Sequence, residues 1–391
     1  MRTMGNKSSL SRPFKVALLI AGVFVAIAGV FLIAIFSTVF ADINRSVKQQ
    51  SERLEGLKAM YSEGGFTRVN EQNFCDFDLN LALQNDLKLI DLQFLGTHNS
   101  YKKEKSALEK MFAAFSKDLR QGNYAFETPT DQLNAGIRSF EFDLFCRQRK
   151  DGVTFHSFHI GYADMSSNAF DFKMCLEEIN LWSLNNPNHL PITIILELKE
   201  KGGAYPYRTI ERQHLADLDK LIKSEMSTLY TPAKAFEGYD NLNEMRACWD
   251  SPSLKETMGK VLFILHPTKL MQDYISLDTS FCTQAMFPAA YFWWDKAVGL
   301  NSFVIINNHG VAEGSIDENG GRKNGYLFRI MLEDSADGNT MSQQIESAIA
   351  TGATICSTNM PPLLKPKDGY ISVSFAENGK TVRLVTDSDS N

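Results

Sequence analysis

The sequence predicts an α/β protein built as a (β/α)8 TIM-type barrel and preceded by an N-terminal transmembrane helix. Two patterns support this prediction. Short apolar runs alternate with helical patterns over roughly 300 residues, and one long uncharged run lies near the N-terminus. The number of apolar runs, about eight, favours a closed barrel over an open doubly wound sheet. The first predicted strand is not followed by a GxGxxG motif, which weakens the dinucleotide-binding form of the open sheet.

The uncharged run covers residues 16–40 and follows four cations, Arg2, Lys7, Arg12 and Lys15. At about 1.5 Å per residue, a helix of this length exceeds the roughly 30 Å hydrocarbon core of a bilayer. The cations place residues 1–15 in the cytoplasm and the rest of the chain on the extracytoplasmic side. The alternative is secretion after signal cleavage near Ala41, but the apolar region of a signal peptide usually has only about 7–15 residues. We therefore predict an uncleaved signal-anchor.

The remaining chain divides into a stalk and a barrel domain. Residues 41–74 are charged and predict a helical stalk or linker that ends near Gly64 and Gly65. Residues 75–391 form the predicted barrel. Two stretches, residues 171–185 and 210–230, have the spacing of apolar residues that is typical of helices. The predicted strands are residues 92–98, 137–145, 152–160, 191–199, 260–266, 302–308, 325–332 and 352–357.

Composition and cysteine count limit the partners and the compartment. The chain of 391 residues is 44% hydrophobic and has a net charge of −6. Because there is no excess of cations to neutralise phosphates, we expect no nucleic acid among its partners. The cysteines show no zinc-site spacing. In a chain that leaves the cytoplasm, their even number predicts about one to three disulfides, with Cys146–Cys175 as one candidate pair. They are Cys75, Cys146, Cys175, Cys248, Cys282 and Cys356.

Polar side chains follow the first four predicted strands. In a barrel of this type, functional groups lie at the carboxyl ends of the strands. Glu141 and Asp143 are two residues apart, so they point to the same face of their strand. Among apolar neighbours, such a carboxylate pair needs a cation or a metal ion. The four strand ends supply His98 and Asn99, then Glu141 and Asp143, then His156 or His159, and finally Glu197 and Lys199.

These residue types together suit metal-assisted phosphoryl transfer. Three carboxylates and an amide oxygen form a hard oxygen site that suits Ca²⁺. Histidines titrate near neutral pH and suit acid–base work beside the metal. Each feature alone has an ordinary explanation, since paired acids often form salt bridges and Glu197 can pair with Lys199. Their recurrence at four successive strand ends favours a functional site.

Five segments resemble the successive motifs of the calcium-dependent phosphatidylinositol-specific phospholipase C family, in its bacterial Streptomyces-type branch. The resemblance extends from about residue 85 to residue 365 and is strongest over residues 92–200. It implies a phosphoric diester hydrolase that uses Ca²⁺ to cleave phosphatidylinositol, or a glycosylated form of it. The products would be diacylglycerol and a cyclic or acyclic inositol phosphate. The segments are "LGTHNSY", "DQLNAGIRSFEFDL", "FHIGYADMSS", "LWSLNNPNHLPITIILELK" and "TGATICST".

The resemblance also implies roles for individual residues. The catalytic histidines would be His98 and His159, with His156 as the fallback for the second. Lys199 and Arg329 would contact the phosphate or the headgroup. One histidine would stabilise the phosphorane formed by attack of the inositol 2-hydroxyl, and the other would protonate the leaving diacylglycerol oxygen. The metal ligands would be Asn99, Glu141, Asp143 and Glu197. Asn359 stands where the family has an Asp, so it can orient a histidine but cannot supply a full charge.

Two other functions stay open at this point. A glycerophosphodiester-type phosphodiesterase would share the barrel, but it usually has a His-Arg-Gly run where this sequence has "HNSY". A catalytically silent barrel used for lipid binding or adhesion would be favoured by the loss of a catalytic histidine or an acidic ligand. Each of these residues is present. The anchor itself fits a phospholipid substrate, because it keeps the barrel near a membrane.

Overall fold

The computed structural model describes residues 12–115, 124–248, 250–291, 304–306, 325–332, 337–362, 369–376 and 379–385. One long helix, α1 (Arg12–Ser62), precedes an α/β domain. The strands described are β1 (Leu92–Thr97), β2 (Ser139–Arg149), β3 (Gly152–Ser157), β4 (Ile192–Leu198), β5 (Leu229–Tyr230), β6 (Val261–Leu265), β7 (Met286–Ala290), β8 (Val304–Ile306), β9 (Leu327–Leu332), β10 (Ile355–Thr358) and β11 (Val382–Leu384).

Helices lie between most of these strands. Short 3₁₀ turns occur at Glu71–Asn73, Leu89–Asp91 and Arg212–His214. The remaining helices described are α2 (Leu79–Gln84), α3 (Ala107–Phe115), α4 (Pro129–Asn134), α5 (Phe172–Asn185), α6 (Leu215–Glu225), α7 (Pro232–Ala235), α8 (Leu242–Ala247), α9 (Leu254–Thr257), α10 (Met271–Ile275) and α11 (Gly338–Ala350).

Eight of the strands form a parallel ring in the order β1-β2-β4-β6-β7-β8-β9-β10, and β10 pairs back onto β1. The β1–β2 contact rests on one registered pair, Gly96 with Ser139. A Cβ added to Gly96 would lie 2.6 Å from the Cβ of Ser139, so this close approach requires glycine. The side chains described on the barrel strands are mostly buried, and many of them contribute to one large apolar core. This topology confirms the predicted TIM-type barrel.

One predicted strand has a different role, and one barrel strand was missed. The run at residues 152–160 forms β3, which pairs antiparallel with β2 as a hairpin and does not belong to the ring. The ring is completed by β7, whose sequence MFPAA contains Pro288 and two alanines. Proline and alanine are depleted in strands, so this segment gives a weak strand pattern. The strand predicted at residues 302–308 is confirmed over Val304–Ile306, and its other residues lie outside the described ones.

The prediction of disulfides is wrong. All six cysteines lie in the described residues and all are free. In the candidate pair, the Cys146 thiol lies 3.4 Å from the carbonyl oxygen of Thr209 and 3.5 Å from His214 Nδ1. Cys175 lies on α5 in the apolar core. An even number of cysteines does not establish that any two of them are close in space.

The two halves of α1 have different surroundings. Most side chains described between residues 12 and 38 are exposed, and by length and composition the helix can cross a membrane. From Val39 onward, one face of the helix packs on the domain and buries Ile43 and Leu54. The segment predicted as a stalk therefore lies against the barrel. The helix ends at Ser62 before Gly64, which has a φ of +70°, so the predicted end is confirmed.

Candidate active site and metal centre

The parallel register of β2 and β4 brings three carboxylates together. Asp143 and Glu197 are registered partners, so their side chains point the same way. Glu141 lies two residues before Asp143 and shares that face. One oxygen atom from each of the three carboxylates lies within 4.8 Å of the others. The predicted metal-ligating carboxylates therefore form one cluster, in which Glu141 and Asp143 are buried.

Two cations already contact this cluster. Arg329 from β9 forms an ion pair with Glu141 across the barrel interior, and its Nε donates to Ser357 Oγ at 3.0 Å. Lys199 Nζ lies 3.0 Å from Glu197 Oε1 and 3.3 Å from Asp143 Oδ2. The ion pair between Glu197 and Lys199 is therefore present, and Lys199 also contacts the buried carboxylate of Asp143.

The cluster has an unsatisfied acceptor. Oδ1 of Asp143 is buried and accepts no hydrogen bond from the described residues. Burial and the neighbouring charge of Glu197 raise the pKa of Asp143 well above its usual range. Burial acts in the same direction on Glu141, but the charge of Arg329 opposes it, and the pKa of Glu141 is lowered. An unpaired buried oxygen beside two further carboxylates suits a hard divalent cation, so these residues fit Ca²⁺.

The turn after β1 places Asn99 beside the carboxylates. Asn99 has a φ of +51°, a left-handed conformation that asparagine tolerates better than most residues. Ser100 ties this turn to β2, because its amide and its hydroxyl each bond the backbone of Glu141 at 2.8 Å. The hydroxyl of Tyr101 lies 2.8 Å from Asp143 Oδ2 and 3.2 Å from Asn99 Oδ1. The amide oxygen of Asn99 is therefore a neighbour of the metal-ligating cluster.

His98 is held at Nδ1 by neutral partners. Its Nδ1 lies 3.1 Å from Asn359 Oδ1 and 3.0 Å from the hydroxyl of Tyr124. Its Nε2 lies 3.2 Å from Asn99 Nδ2 and 4.0 Å from Glu141 Oε1. Because Asn359 Oδ1 only accepts, Nδ1 carries the proton and Nε2 keeps its lone pair. Burial lowers the pKa of His98 to about 4, which favours this neutral form.

His159 is held by a charged network. Its Nδ1 lies 2.9 Å from Asp164 Oδ2. Asp164 also forms ion pairs with Lys102 at 2.8 Å and Lys105 at 3.1 Å, and all three of these side chains are buried. Burial opposes the ionisation of Asp164, but His159 and the two lysines outweigh it and lower its pKa. Burial also lowers the pKa of His159, against the opposing effect of Asp164. His159 is close enough to His98 for its charge to affect the pKa of His98.

His156, the fallback for the second histidine, lies in an aromatic cluster. Its Nε2 lies 2.9 Å from Thr154 Oγ1. Its ring centroid is 5.4 Å from Phe170 and 4.8 Å from Tyr207. Burial lowers the pKa of His156 to about 3. These partners give His156 a packing role and leave His159 as the histidine beside the site.

Lys199 and Arg329, the two predicted substrate contacts, differ in accessibility. The side chain of Lys199 is 20% exposed, whereas Arg329 is 2% exposed. A cavity of about 490 Å³ opens beside the carboxylate cluster, lined in part by Glu197, Lys199 and Tyr291. Lys199 therefore faces space that a ligand can enter, while Arg329 lies beneath the carboxylates.

Sequence reasoning missed several supporting residues. Asp164 has a visible signal, because it lies five residues after His159 in the quoted motif. Its ion pairs with Lys102 and Lys105 join separate segments, and no local pattern indicates them. The same holds for Tyr124, which contacts both His98 and Asn99 from a different loop.

Comparisons with known proteins identify the family and the fold. A family model described as "Phosphoinositide phospholipase C, Ca2+-dependent" matches residues 87–157 and 147–384. The Ca²⁺-dependent phosphatidylinositol-specific phospholipase C of Streptomyces antibioticus aligns with a TM-score of 0.51 and 18% identity, covering 70% of this chain and 95% of its own. The calcium-dependent phosphoinositol-specific phospholipase C of a Pseudomonas species gives 0.52 and 17%, covering 81% and 99%.

These two structures show the shared fold, since their sequence identities are low. No curated protein sequence matches the chain. The family match extends over most of the chain and includes β1, β2 and β4, which carry the clustered residues. The chain therefore belongs to the Ca²⁺-dependent phosphoinositide phospholipase C family and is a phosphoric diester hydrolase with calcium as its cofactor.

Proposed function

We propose that this protein is a membrane-anchored phospholipase C that cleaves phosphatidylinositol, or a glycosylated form of it, on the extracytoplasmic side. The observation that carries this proposal is the cluster of three carboxylates beside two differently held histidines, in a member of this family. The oxygen of the inositol 2-hydroxyl bonds to phosphorus, and the bond from phosphorus to the diacylglycerol oxygen breaks. The products are diacylglycerol and a cyclic inositol phosphate, which water then opens to the acyclic form.

Four residues would hold the calcium ion: Asn99, Glu141, Asp143 and Glu197. Support comes from the unpaired Oδ1 of Asp143 and from the amide oxygen of Asn99 beside it. When bound, calcium would supply a Lewis acid that lowers the pKa of the substrate hydroxyl and offsets negative charge on the phosphate. Within the chain, Ser100 and Tyr101 keep the turn after β1 and the strand β2 in register, so that amide and carboxylate oxygens converge.

The two histidines would handle protons at opposite stages. His159 suits protonation of the departing diacylglycerol oxygen, because the carboxylate of Asp164 stabilises its imidazolium form. His98 presents Nε2 on the side of Glu141, while Asn359 fixes Nδ1. From this position His98 would accept the proton of the attacking 2-hydroxyl at Nε2 and share it with a phosphate oxygen as charge develops there.

Lys199 and Arg329 would act differently from one another. Lys199 lines the cavity and would contact the phosphate or the headgroup. A direct contact of Arg329 with substrate, as the sequence predicts, does not fit its burial. Its ion pair with Glu141 and its bond to Ser357 favour a role in fixing the orientation of Glu141.

The packing of α1 supports an uncleaved anchor. Val39 and Ile43 flank the candidate cleavage site near Ala41, and both are buried against the domain within a continuous helix. The helix continues without a break from the apolar run through Ala41 into the part that packs on the domain, which favours the anchor over the secreted form.

Turnover of a defined lipid tests the proposal. We expect the full-length chain in vesicles containing phosphatidylinositol to release cyclic inositol phosphate when calcium is present, and not when a chelator is present. Phosphorus NMR measures the product. His98→Ala and Asp143→Asn should abolish the signal, whereas the surface control Asp217→Asn should retain it. Calcium-independent turnover would overturn the metal assignment. Absence of turnover on every inositol lipid, with His98→Ala binding vesicles as well as the wild type does, would favour the silent barrel.

A further inference from the structure

The docked half of α1, which is the part from Val39 to Ser62 that packs on the domain, lies beside α5. The side chain of Gln50 forms two hydrogen bonds with the backbone of Asp171, at 2.8 and 3.0 Å. Asp171 is the N-cap of α5. One turn further along α1, Arg53 pairs at 2.7 Å with Glu178, which is buried in the second turn of α5. Successive residues of α1 therefore contact successive turns of α5, and the two helices run in the same direction.

This direction determines where α1 leaves the barrel. In the parallel ring, strands begin at the base and end at the mouth, which carries the clustered carboxylates. Because α5 leads to the start of β4, it runs from the mouth to the base. As α1 runs alongside in the same direction, its N-terminal half projects from the mouth. The apolar residues 16–40 thus extend beyond the catalytic side of the domain.

The end of the apolar run touches the loop that carries the second histidine. The ring of Phe36 lies 5.1 Å from the ring of Tyr162, centroid to centroid. Tyr162 lies between His159 and Asp164 in sequence. Val39 and Ile43 belong to the same apolar cluster as Met165, just beyond Asp164. Direct side-chain contacts therefore join the helix to the loop that contains His159.

The expected membrane boundary coincides with this contact. After residue 40, the first charged residues of the chain are Asp42 and Arg45. The end of an uncharged span marks the edge of the hydrocarbon core, where tyrosines are also enriched. Tyr162 and the loop from His159 to Asp164 would thus lie at the level of the lipid headgroups.

Two strongly exposed aromatic side chains lie on segments that follow the carboxyl ends of barrel strands. Phe115, on α3 after β1, is 87% exposed, and Tyr205, in the loop after β4, is 76% exposed. The carbonyl oxygen of Tyr205 accepts a hydrogen bond of 3.4 Å from the Tyr162 hydroxyl. Leu108 of α3 packs on the cluster that contains Val39. These side chains suit insertion into the interface of a bilayer.

We propose that α1 is a rigid strut that holds the barrel mouth against the bilayer containing residues 16–40, so that the enzyme takes lipid from its own membrane. The partner of the mouth is the surface of that same membrane. The choice of lipid and the insertion of residues 16–40 in a membrane rest on the proposed function, whereas the direction in which the barrel mouth faces rests on the contacts of α1.

Fluorescence quenching tests the orientation without reference to activity. The exposed Cys248 and Cys282 are first changed to Ser. A fluorophore is then attached in the full-length chain at Tyr205→Cys, or at the base in the control Leu81→Cys, where the native side chain is 53% exposed. In vesicles with a quencher at headgroup level, we expect several-fold stronger quenching at position 205 than at position 81. Equal quenching at the two positions would overturn the proposal.

A flexible insertion tests the strut itself. About twelve Gly and Ser residues inserted between Ser37 and Thr38 decouple the apolar run from the docked half. We expect quenching at position 205 to fall to the level of position 81, while turnover of detergent-dispersed lipid is retained. The same insertion between Gly64 and Gly65, beyond the docked half, should leave the quenching unchanged. Unchanged quenching after the first insertion would overturn the strut.

Mixing vesicles tests the choice of membrane. We expect vesicles that carry both the enzyme and phosphatidylinositol to show turnover, and enzyme vesicles mixed with separate lipid vesicles to show little. Equal turnover in the two arrangements would contradict action on the enzyme's own membrane. If neither arrangement shows turnover while the quenching contrast persists, the proposed function fails and the orientation is still supported.

Discussion

The two histidines beside the carboxylate cluster are held in opposite ways. His98 has the neutral partners Asn359 and Tyr124 at Nδ1. His159 bonds the charged Asp164, which in turn binds two buried lysines. Tyr124 contacts both systems, since its ring also lies 4.7 Å from Lys102 Nζ. This asymmetry indicates two tasks: one histidine is oriented, and the other is oriented and stabilised when it is protonated.

The largest effect is predicted for a change at Asp164, the charged partner of His159. Asp164→Asn should lower kcat by about 10²–10⁴-fold, because the partner that stabilises protonated His159 is lost. It should also lower the free energy of unfolding by about 3–5 kcal/mol, since Lys102 and Lys105 lose a buried partner. Steady-state kinetics and urea unfolding measure the two effects. A kcat within twofold of the wild type would contradict the proposed role of the His159–Asp164 pair.

A smaller effect is predicted for a change at Asn359, a neutral partner of His98. Asn359→Ala should lower kcat by about tenfold, equivalent to one hydrogen bond of about 1.4 kcal/mol, because Tyr124 still contacts His98 Nδ1. Asn359→Ala combined with Tyr124→Phe should reduce kcat further than either change alone. Kinetics of the four proteins form a double-mutant cycle. If Asn359→Ala costs as much as Asp164→Asn, the two histidines are not held in the different ways that we describe.

The last predicted effect is on stability and leaves catalysis unchanged, and it concerns a histidine that is neutral for structural reasons. Nδ1 of His189 donates to the Leu190 carbonyl at 2.6 Å, Nε2 lies 2.7 Å from Ser183 Oγ, and burial lowers its pKa to about 3. The unfolded chain, with a histidine pKa near about 6.5, binds more protons between these two values. The free energy of unfolding should therefore fall as the pH falls from about 6.5 toward 3, by up to about 1.4 kcal/mol per pH unit for this residue.

Unfolding measured across this pH range checks the contribution of His189. His189→Asn should reduce the slope of the free energy of unfolding against pH, whereas changing the half-buried His214 to Asn should not. An unchanged slope in His189→Asn would show that this histidine does not limit stability in acid.

Much of the fold was predictable, although the predicted strand set was partly wrong. Alternating apolar runs predicted eight strands and a barrel, and the barrel is present. The set included β3, which is a hairpin partner of β2, and omitted β7. Both runs have local patterns that do not reveal which neighbour they will pair with. Strand pairing depends on the whole ring, so the number of strands was more predictable than their identity.

The candidate site was predictable where strand geometry determines it. A spacing of two residues and a parallel register bring Glu141, Asp143 and Glu197 to one face. Contacts between distant segments were not predictable, and Arg53 illustrates this. Arg53 looks like a solvent-exposed charge in the stalk, yet it pairs with Glu178, 125 residues away. The docking of α1 on the domain could therefore be recognised only from the structure.

A crystal structure of the protein grown with calcium tests the central claim most directly. We predict an ion on the face shared by β2 and β4, bound by oxygens of Asn99, Glu141, Asp143 and Glu197 at about 2.3–2.6 Å. Anomalous scattering identifies the ion. A crystal in calcium with no ion at this face, and with Glu141 and Asp143 satisfied by Arg329 and Lys199 alone, would contradict the account.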